Sequence, residues 1–81
     1  MTKLEEKLIE LGYEFYGWNV KIKIYKKCIK HTIISISTKE NKLIYKYFEP
    51  KKIIKTQQDI DNLQQAFDVL QNDLKILKKQ L

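Results

Sequence analysis

The one thiol and the one imidazole of this chain stand three residues apart, in Cys28-Ile29-Lys30-His31. Two soft donors at that spacing raise metal binding and nucleophilic chemistry as questions. A zinc site takes three or four protein ligands, so one copy falls short, and a Cys₂His₂ set needs a second copy. Lys26, Lys27 and Lys30 around the thiol favour its thiolate. The ordinary reading is a half-buried thiol beside a surface imidazole in a lysine-rich turn. The carboxylates are no better suited to catalysis. Glu5, Glu6 and Glu10 fall on the solvated side of a short helix, and Asp59 and Asp61 complement the start of another. Neither set has the spacing of a paired-carboxylate site. There is no glycine-rich phosphate loop and no nucleophile elbow. The expectation is a protein that is not an enzyme and uses no cofactor or metal.

Charge is the stronger signal. The 81 residues carry 16 basic and 10 acidic side chains, a net charge of +6, and every basic one is lysine. Without arginine, bidentate guanidinium contacts to guanine edges or phosphates are absent. Lys, Ile, Asn and Tyr are also what an AT-rich genome over-supplies, so composition and an anionic partner both account for the basicity. Residues 13–55 hold eleven lysines against Glu14, Glu40 and Glu49.

The elements that must position these groups follow from periodicity. Thr2 and Glu5 have capping-box spacing, Leu4, Leu8 and Leu11 share a face, and Gly12 stands where a helix ends, which predicts a helix over 2–11. From Tyr13 the period shortens to two. Strands are expected at about 19–26, 31–38 and 42–48, with Gly17 marking a bend before the first, Lys39-Glu40-Asn41-Lys42 a polar hairpin turn and Pro50 the end of the third. Short loops favour an antiparallel meander. Thr56 is the N-cap of a helix over 56–80, whose residues Ile60, Leu63, Phe67, Leu70, Leu74, Leu77 and Leu81 keep alternating gaps of three and four, widened by Ala66, Val69 and Ile76. The sum is an α+β domain, α-β-β-β-α, with both helices on one face of a three-stranded antiparallel sheet. One domain spans 1–81.

Two surfaces stand out. Alternation places Val20, Ile22, Ile24, Ile34, Ile36, Tyr45 and Tyr47 toward the helices. The opposite face then carries Lys21, Lys23, Tyr25, Ile33, Ser35, Ser37, Ile44, Lys46 and Phe48, a basic and aromatic mixture suited to a protein or nucleic-acid partner. The last helix runs close to 37 Å at about 1.5 Å per residue, against about 23 Å for a seven-residue strand. Leu70, Leu74, Leu77 and Leu81 therefore become candidates for a homodimer seam at the overhanging C-terminal turns.

The order α-β-β-β-α resembles the double-stranded-RNA-binding domain, and Lys51-Lys52-Ile53-Ile54-Lys55 is similar to that family's KKxxK phosphate grip at the start of its last helix. That resemblance implies phosphate contacts from Lys51, Lys52 and Lys55. The family's Gly-Pro-x-His loop is missing, since residues 26–31 read KKCIKH, and so are the alanine pairs of its last helix. TKLEEKLIELGY at the N-terminus, Tyr47-Phe48-Glu49-Pro50 and QQDIDNLQQAFDVLQNDL together resemble small accessory proteins of phages of AT-rich Gram-positive bacteria, a class that includes anti-CRISPR inhibitors. This resemblance implies a stoichiometric binder of a host protein or nucleoprotein effector, a Cas nuclease above all, in the host cytoplasm. A chain of charge +6 cannot be an acidic DNA mimic, so such an inhibitor would bind a protein surface or compete along the nucleic-acid path. Direct nucleic-acid binding and a phage assembly role are the alternatives. No signal-peptide run and no spanning helix appears in the sequence, so no membrane partner is expected.

Overall fold

The computed structural model describes residues 2–19 and 21–81, residue 19 by its backbone alone. Thr2 caps helix α1 (Lys3–Glu10) through a capping box, its hydroxyl accepting from the Glu5 N–H while the Glu5 carboxylate accepts from the Thr2 N–H. Gly12, at φ +96°, ends the helix. Its N–H donates to the Ile9 carbonyl and the Tyr13 N–H to the Leu8 carbonyl, a Schellman closure that turns the chain and drops Tyr13 into the core.

Four strands follow: β1 (Glu14–Asn19), β2 (Ile22–Ile29), β3 (Thr32–Lys39) and β4 (Lys42–Pro50), in an antiparallel sheet of order β1-β2-β3-β4. Helix α2 (Gln57–Lys78) closes the chain. The protein is α+β as expected, with the order α-β-β-β-β-α and four strands where the sequence suggested three. The added strand is β1. A register shift between Phe15 and Gly17 breaks its alternation, which hides it from a search for period two. Thr56 caps α2 as predicted, in a second capping box with Asp59.

The core lies between the sheet and both helices. Leu4 and Leu8 of α1, Tyr13, Tyr25, Ile34 and Ile36 below, and Leu70, Leu74 and Leu77 of α2 form one buried cluster. Two expectations need correction here. The first concerns which face is inside. Pairing of Tyr25 with Ile36 and of Lys27 with Ile34, then of Ile34 with Phe48 and Ile36 with Lys46, puts Lys23, Tyr25, Lys27, Lys46 and Phe48 on the helix side with the isoleucines of β3. Ile22, Ile24, Tyr45 and Tyr47 are on the opposite side. Residue 20, assigned inward by alternation, lies outside the described residues. The β3 assignment stands, and those of its two neighbours are inverted. In β2 acids on the helices are the cause: Glu5 meets Lys23 at 2.9 Å and Asp73 meets Lys27 at 2.7 Å, so both lysines are satisfied inward. Glu5, expected in solvent, is buried for the same reason.

The second correction concerns α2. Leu70, Leu74 and Leu77 are core residues, not the exposed stripe of an overhanging C-terminal seam, and only Leu81 of that group is exposed. The unpartnered end is the N-terminal half, where Ile60 is 51% and Phe67 40% exposed. The C-terminal half is held down by Asp73, whose carboxylate accepts from both the Tyr13 hydroxyl at 2.8 Å and Lys27.

Candidate binding face of the sheet

The helix-free face is built by the alternation that buries the other one. Its cross-strand rows read Ile22–Lys39–Lys42, Ile24–Ser37–Tyr45, Lys26–Ser35–Tyr47 and Cys28–Ile33–Glu49. Ser35 and Ser37 are buried although no helix covers them. They are short residues on a central strand, and the taller side chains to either side close over them. The Ser35 hydroxyl has no hydrogen-bond partner among the described residues. The result is a trough with a serine floor, walled by Ile24 and Lys26 on one side and by Tyr45 and Tyr47 on the other. Tyr45 is 63% and Tyr47 55% exposed.

Two concavities open on this face. One, of about 330 Å³, is bounded by Ile22, Ile24, Ser37, Tyr45 and Tyr47. The other, of about 520 Å³, lies toward β1, where Tyr16, Lys26, Cys28, Ile33 and Lys51 meet. Phe15 pairs with the inner Tyr25, so alternation places Tyr16 on this face, and the Lys26 ammonium sits 3.8 Å over its ring. Sequence reasoning missed both Tyr16 and the tyrosine wall. The signal for Tyr45 and Tyr47 was present as a strict i, i+2 pair, but their apolar character assigned them to the core.

The charge around the trough is smaller than the raw count of lysines. Three of the eleven in residues 13–55 are matched by acids from outside that window: Lys23 by Glu5, Lys27 by Asp73 and Lys52 by Asp59 at 3.2 Å. Lys26, Lys39, Lys42 and Lys51 flank the trough and make no ion pair among the described residues. Lys21 stands in the β1–β2 turn at φ +72°.

The expected site residues therefore separate. Lys21 and Lys51 border the open face. Lys23 and Tyr25 belong to the inner side, where the Tyr25 hydroxyl and Lys23 both donate to Glu5. The Lys23 ammonium above all holds the Glu5 carboxyl down at about 2, against an ordinary 4.5. Phe48 packs on the core, and Lys46 sits on the helix side at the sheet edge. Lys51, Lys52 and Lys55 do not present three free ammonium groups. The backbone N–H of Lys55, then the Lys52 side chain and the Thr56 N–H, engage Asp59 and hold its carboxyl well below the usual range. Cys28 is exposed at the rim of the larger concavity, and His31 sits in the β2–β3 turn. Among the described residues no group of three or more His, Cys, Asp or Glu side chains is arranged to hold a metal ion. No described helix is long and apolar enough to cross a membrane. No protein-family model, curated protein or solved structure matches this chain.

Proposed function

We propose that this chain is a non-enzymatic inhibitor of the phage anti-defence class, which binds a host Cas nuclease stoichiometrically through the helix-free face of its sheet. One observation carries the reading. A four-stranded sheet with both helices on one side leaves the Ile24/Lys26–Tyr45/Tyr47 trough uncovered, with tyrosines and lysines where a solvated face would carry short polar residues. Tyrosine gives large contact area at little entropic cost, and a serine floor lets a partner approach the backbone closely. Lys26, Lys39, Lys42 and Lys51 direct the face to an acidic surface or to the path of bound nucleic acid.

A second reading is favoured by the spacing of the tyrosines. Two residues along one strand face is about 6.6 Å at roughly 3.3 Å per residue, a separation that suits successive unstacked bases. Direct single-strand binding is the alternative use of the same face. The duplex-RNA reading is weaker, because Asp59 occupies Lys52.

The test is plasmid survival in cells whose CRISPR–Cas nuclease targets that plasmid, across several nuclease types. Expression of the native chain protects the plasmid against at least one type, and Tyr45→Ser with Tyr47→Ser abolishes protection while leaving the fold intact. Protection against none of them, or full protection by the variant, refutes the reading. Binding of the purified chain to nuclease-treated effector separates a protein partner from a nucleic-acid one.

A further inference from the structure

Strand β4 is an edge of the sheet, and at nine residues it is the longest strand. Its outer side offers a row of backbone groups with no neighbouring strand, along LIYKYF, a segment of high β-propensity. Edge strands are usually blunted by a bulge, an inward charge or a covering element. Here the one bulge lies at the start, between Ser37 and Thr38 on the paired strand, and Pro50 blocks only the end. The middle is open.

The helix layer is open on that same side. Phe67 reaches over the edge to Phe48, ring centroids 5.9 Å apart, and is still 40% exposed. Ile60, two turns earlier, lies on the same flank of α2 and is 51% exposed. Between them stands Gln64, so this N-terminal stretch of the flank is uncharged, and Lys78 lies on the same face at its far end. Lower along the edge, Leu43, Ile44, Leu74 and Leu81, flanked by Lys46 and Lys78, line a groove of about 240 Å³ between β4 and α2. Both layers thus end unfinished along one line, and what completes them must supply a strand and an apolar helix flank together.

We infer that this edge is a two-fold interface, in which β4 of a second copy pairs antiparallel with β4 and the two α2 flanks meet above it. The pairing register follows from the side chains. To keep inner residues opposite inner residues, the numbers of opposed residues must sum to an even value. A sum of 92 sets Lys46 against its own copy. A sum of 94 places Tyr47 on the axis, Lys46 opposite Phe48, and Tyr45 opposite Glu49, each pair occurring twice. That register spans residues 44–50, opposes no like charges, and lets each lysine stem lie along a phenyl ring. It joins two four-stranded sheets into one of eight and removes both β4 edges.

The consequence reaches the open face. Tyr45 and Tyr47 of both copies become neighbours across the axis, so that one four-tyrosine surface replaces two separate pairs. The interface stands on observations separate from the proposed inhibition, and its test reads mass and cross-linking, with no reference to activity.

The experiment uses the full chain at tens of micromolar. Light scattering should give twice the 9.8 kDa of one chain, and Ile60→Lys should lower that mass to the monomer value, since the residue is exposed and its loss spares the fold. Single-cysteine variants on a Cys28→Ser background then read the register. In the proposed pairing the two Tyr47 Cα atoms lie about 5 Å apart, within disulfide range, whereas the two Tyr45 Cα atoms are displaced by four residues, about 13 Å. Tyr47→Cys should cross-link under mild oxidation and Tyr45→Cys should not. A native mass of one chain overturns the inference. So does a dimer that is unchanged by Ile60→Lys, or one in which Tyr45→Cys links as readily as Tyr47→Cys.

Discussion

Replacing Asp73 by alanine removes a contact that ties α2 to β2 and to the α1–β1 loop. Its carboxylate is buried and accepts from the Tyr13 hydroxyl at 2.8 Å and from Lys27 at 2.7 Å, in a site where the Lys27 side chain is only 13% exposed. Burial first, then the adjacent carboxylate, push the Tyr13 phenol well above its ordinary value of 10, so it stays a donor at any working pH. After truncation the phenol has no acceptor, at about 1–3 kcal/mol. Lys27 keeps the Leu11 carbonyl at 2.9 Å and a cation–π contact with Tyr13 at 4.4 Å, but its charge is no longer matched. Breaking a buried pair from one side costs about 3–5 kcal/mol in all. A domain of this size has roughly 4–12 kcal/mol in total, at about 0.05–0.15 kcal/mol per residue. Asp73→Ala should therefore come close to unfolding the protein. Removing the whole group with matched volume, as Tyr13→Phe with Lys27→Met and Asp73→Leu, leaves nothing unpaired and should cost less than Asp73→Ala alone. Urea unfolding followed by far-ultraviolet circular dichroism measures both. A loss below about 1 kcal/mol for Asp73→Ala would refute this reasoning, as would a triple variant no more stable than the single one.

Lys30 and His31 both have positive φ, +48° and +65°, in the two-residue β2–β3 hairpin. Lys30→Asn with His31→Gly should gain about 1 kcal/mol or more, seen as a rise in Tm of roughly 4–8 °C, and no rise would contradict the turn geometry. Glu5 has its folded pKa depressed to about 2 from 4.5, so its contribution is complete above pH 4.5 and disappears as pH falls toward 2. Native stability should decline through that window, and Glu5→Gln should flatten the decline; an unchanged slope would remove the Lys23–Glu5 pair as its cause. Phe67→Ala should cost only about 1–2 kcal/mol, because the ring is 40% exposed, against about 3–5 for a buried phenylalanine.

What was legible in the sequence was local. The capping box of α1, the Thr56 N-cap, the glycine that ends α1 and the polar hairpin turn each depend on residues within a few positions of one another. The seam of α2 was also visible, and Leu70, Leu74 and Leu77 are buried as apolar periodicity requires. What failed depended on distant residues. Alternation in β2 separates Ile22 and Ile24 from Lys23, Tyr25 and Lys27, but polarity alone cannot say that Glu5 and Asp73 wait above the lysines. The inversion of β4 comes from the bulge that changes its phase between Leu43 and Tyr45. The expected overhang is at the C-terminal turns of α2, whereas the less covered half is the N-terminal one. A seam that is apolar throughout does not mark which end the sheet covers. The binding face inherited these errors, which is why Tyr45 and Tyr47 emerge only from the register.

The central claim is that the helix-free sheet face does the binding. A photo-activatable phenylalanine analogue placed one position at a time, in cells carrying whichever CRISPR–Cas nuclease the plasmid test singles out, tests it directly. At Ile24 and Tyr45 it should give adducts heavier than a dimer of this chain, and at Gln65 and Asp68, on the solvated side of α2, it should give none. Heavy adducts from the α2 positions with none from Ile24 and Tyr45 would place the working surface on the other side of the molecule and contradict the account.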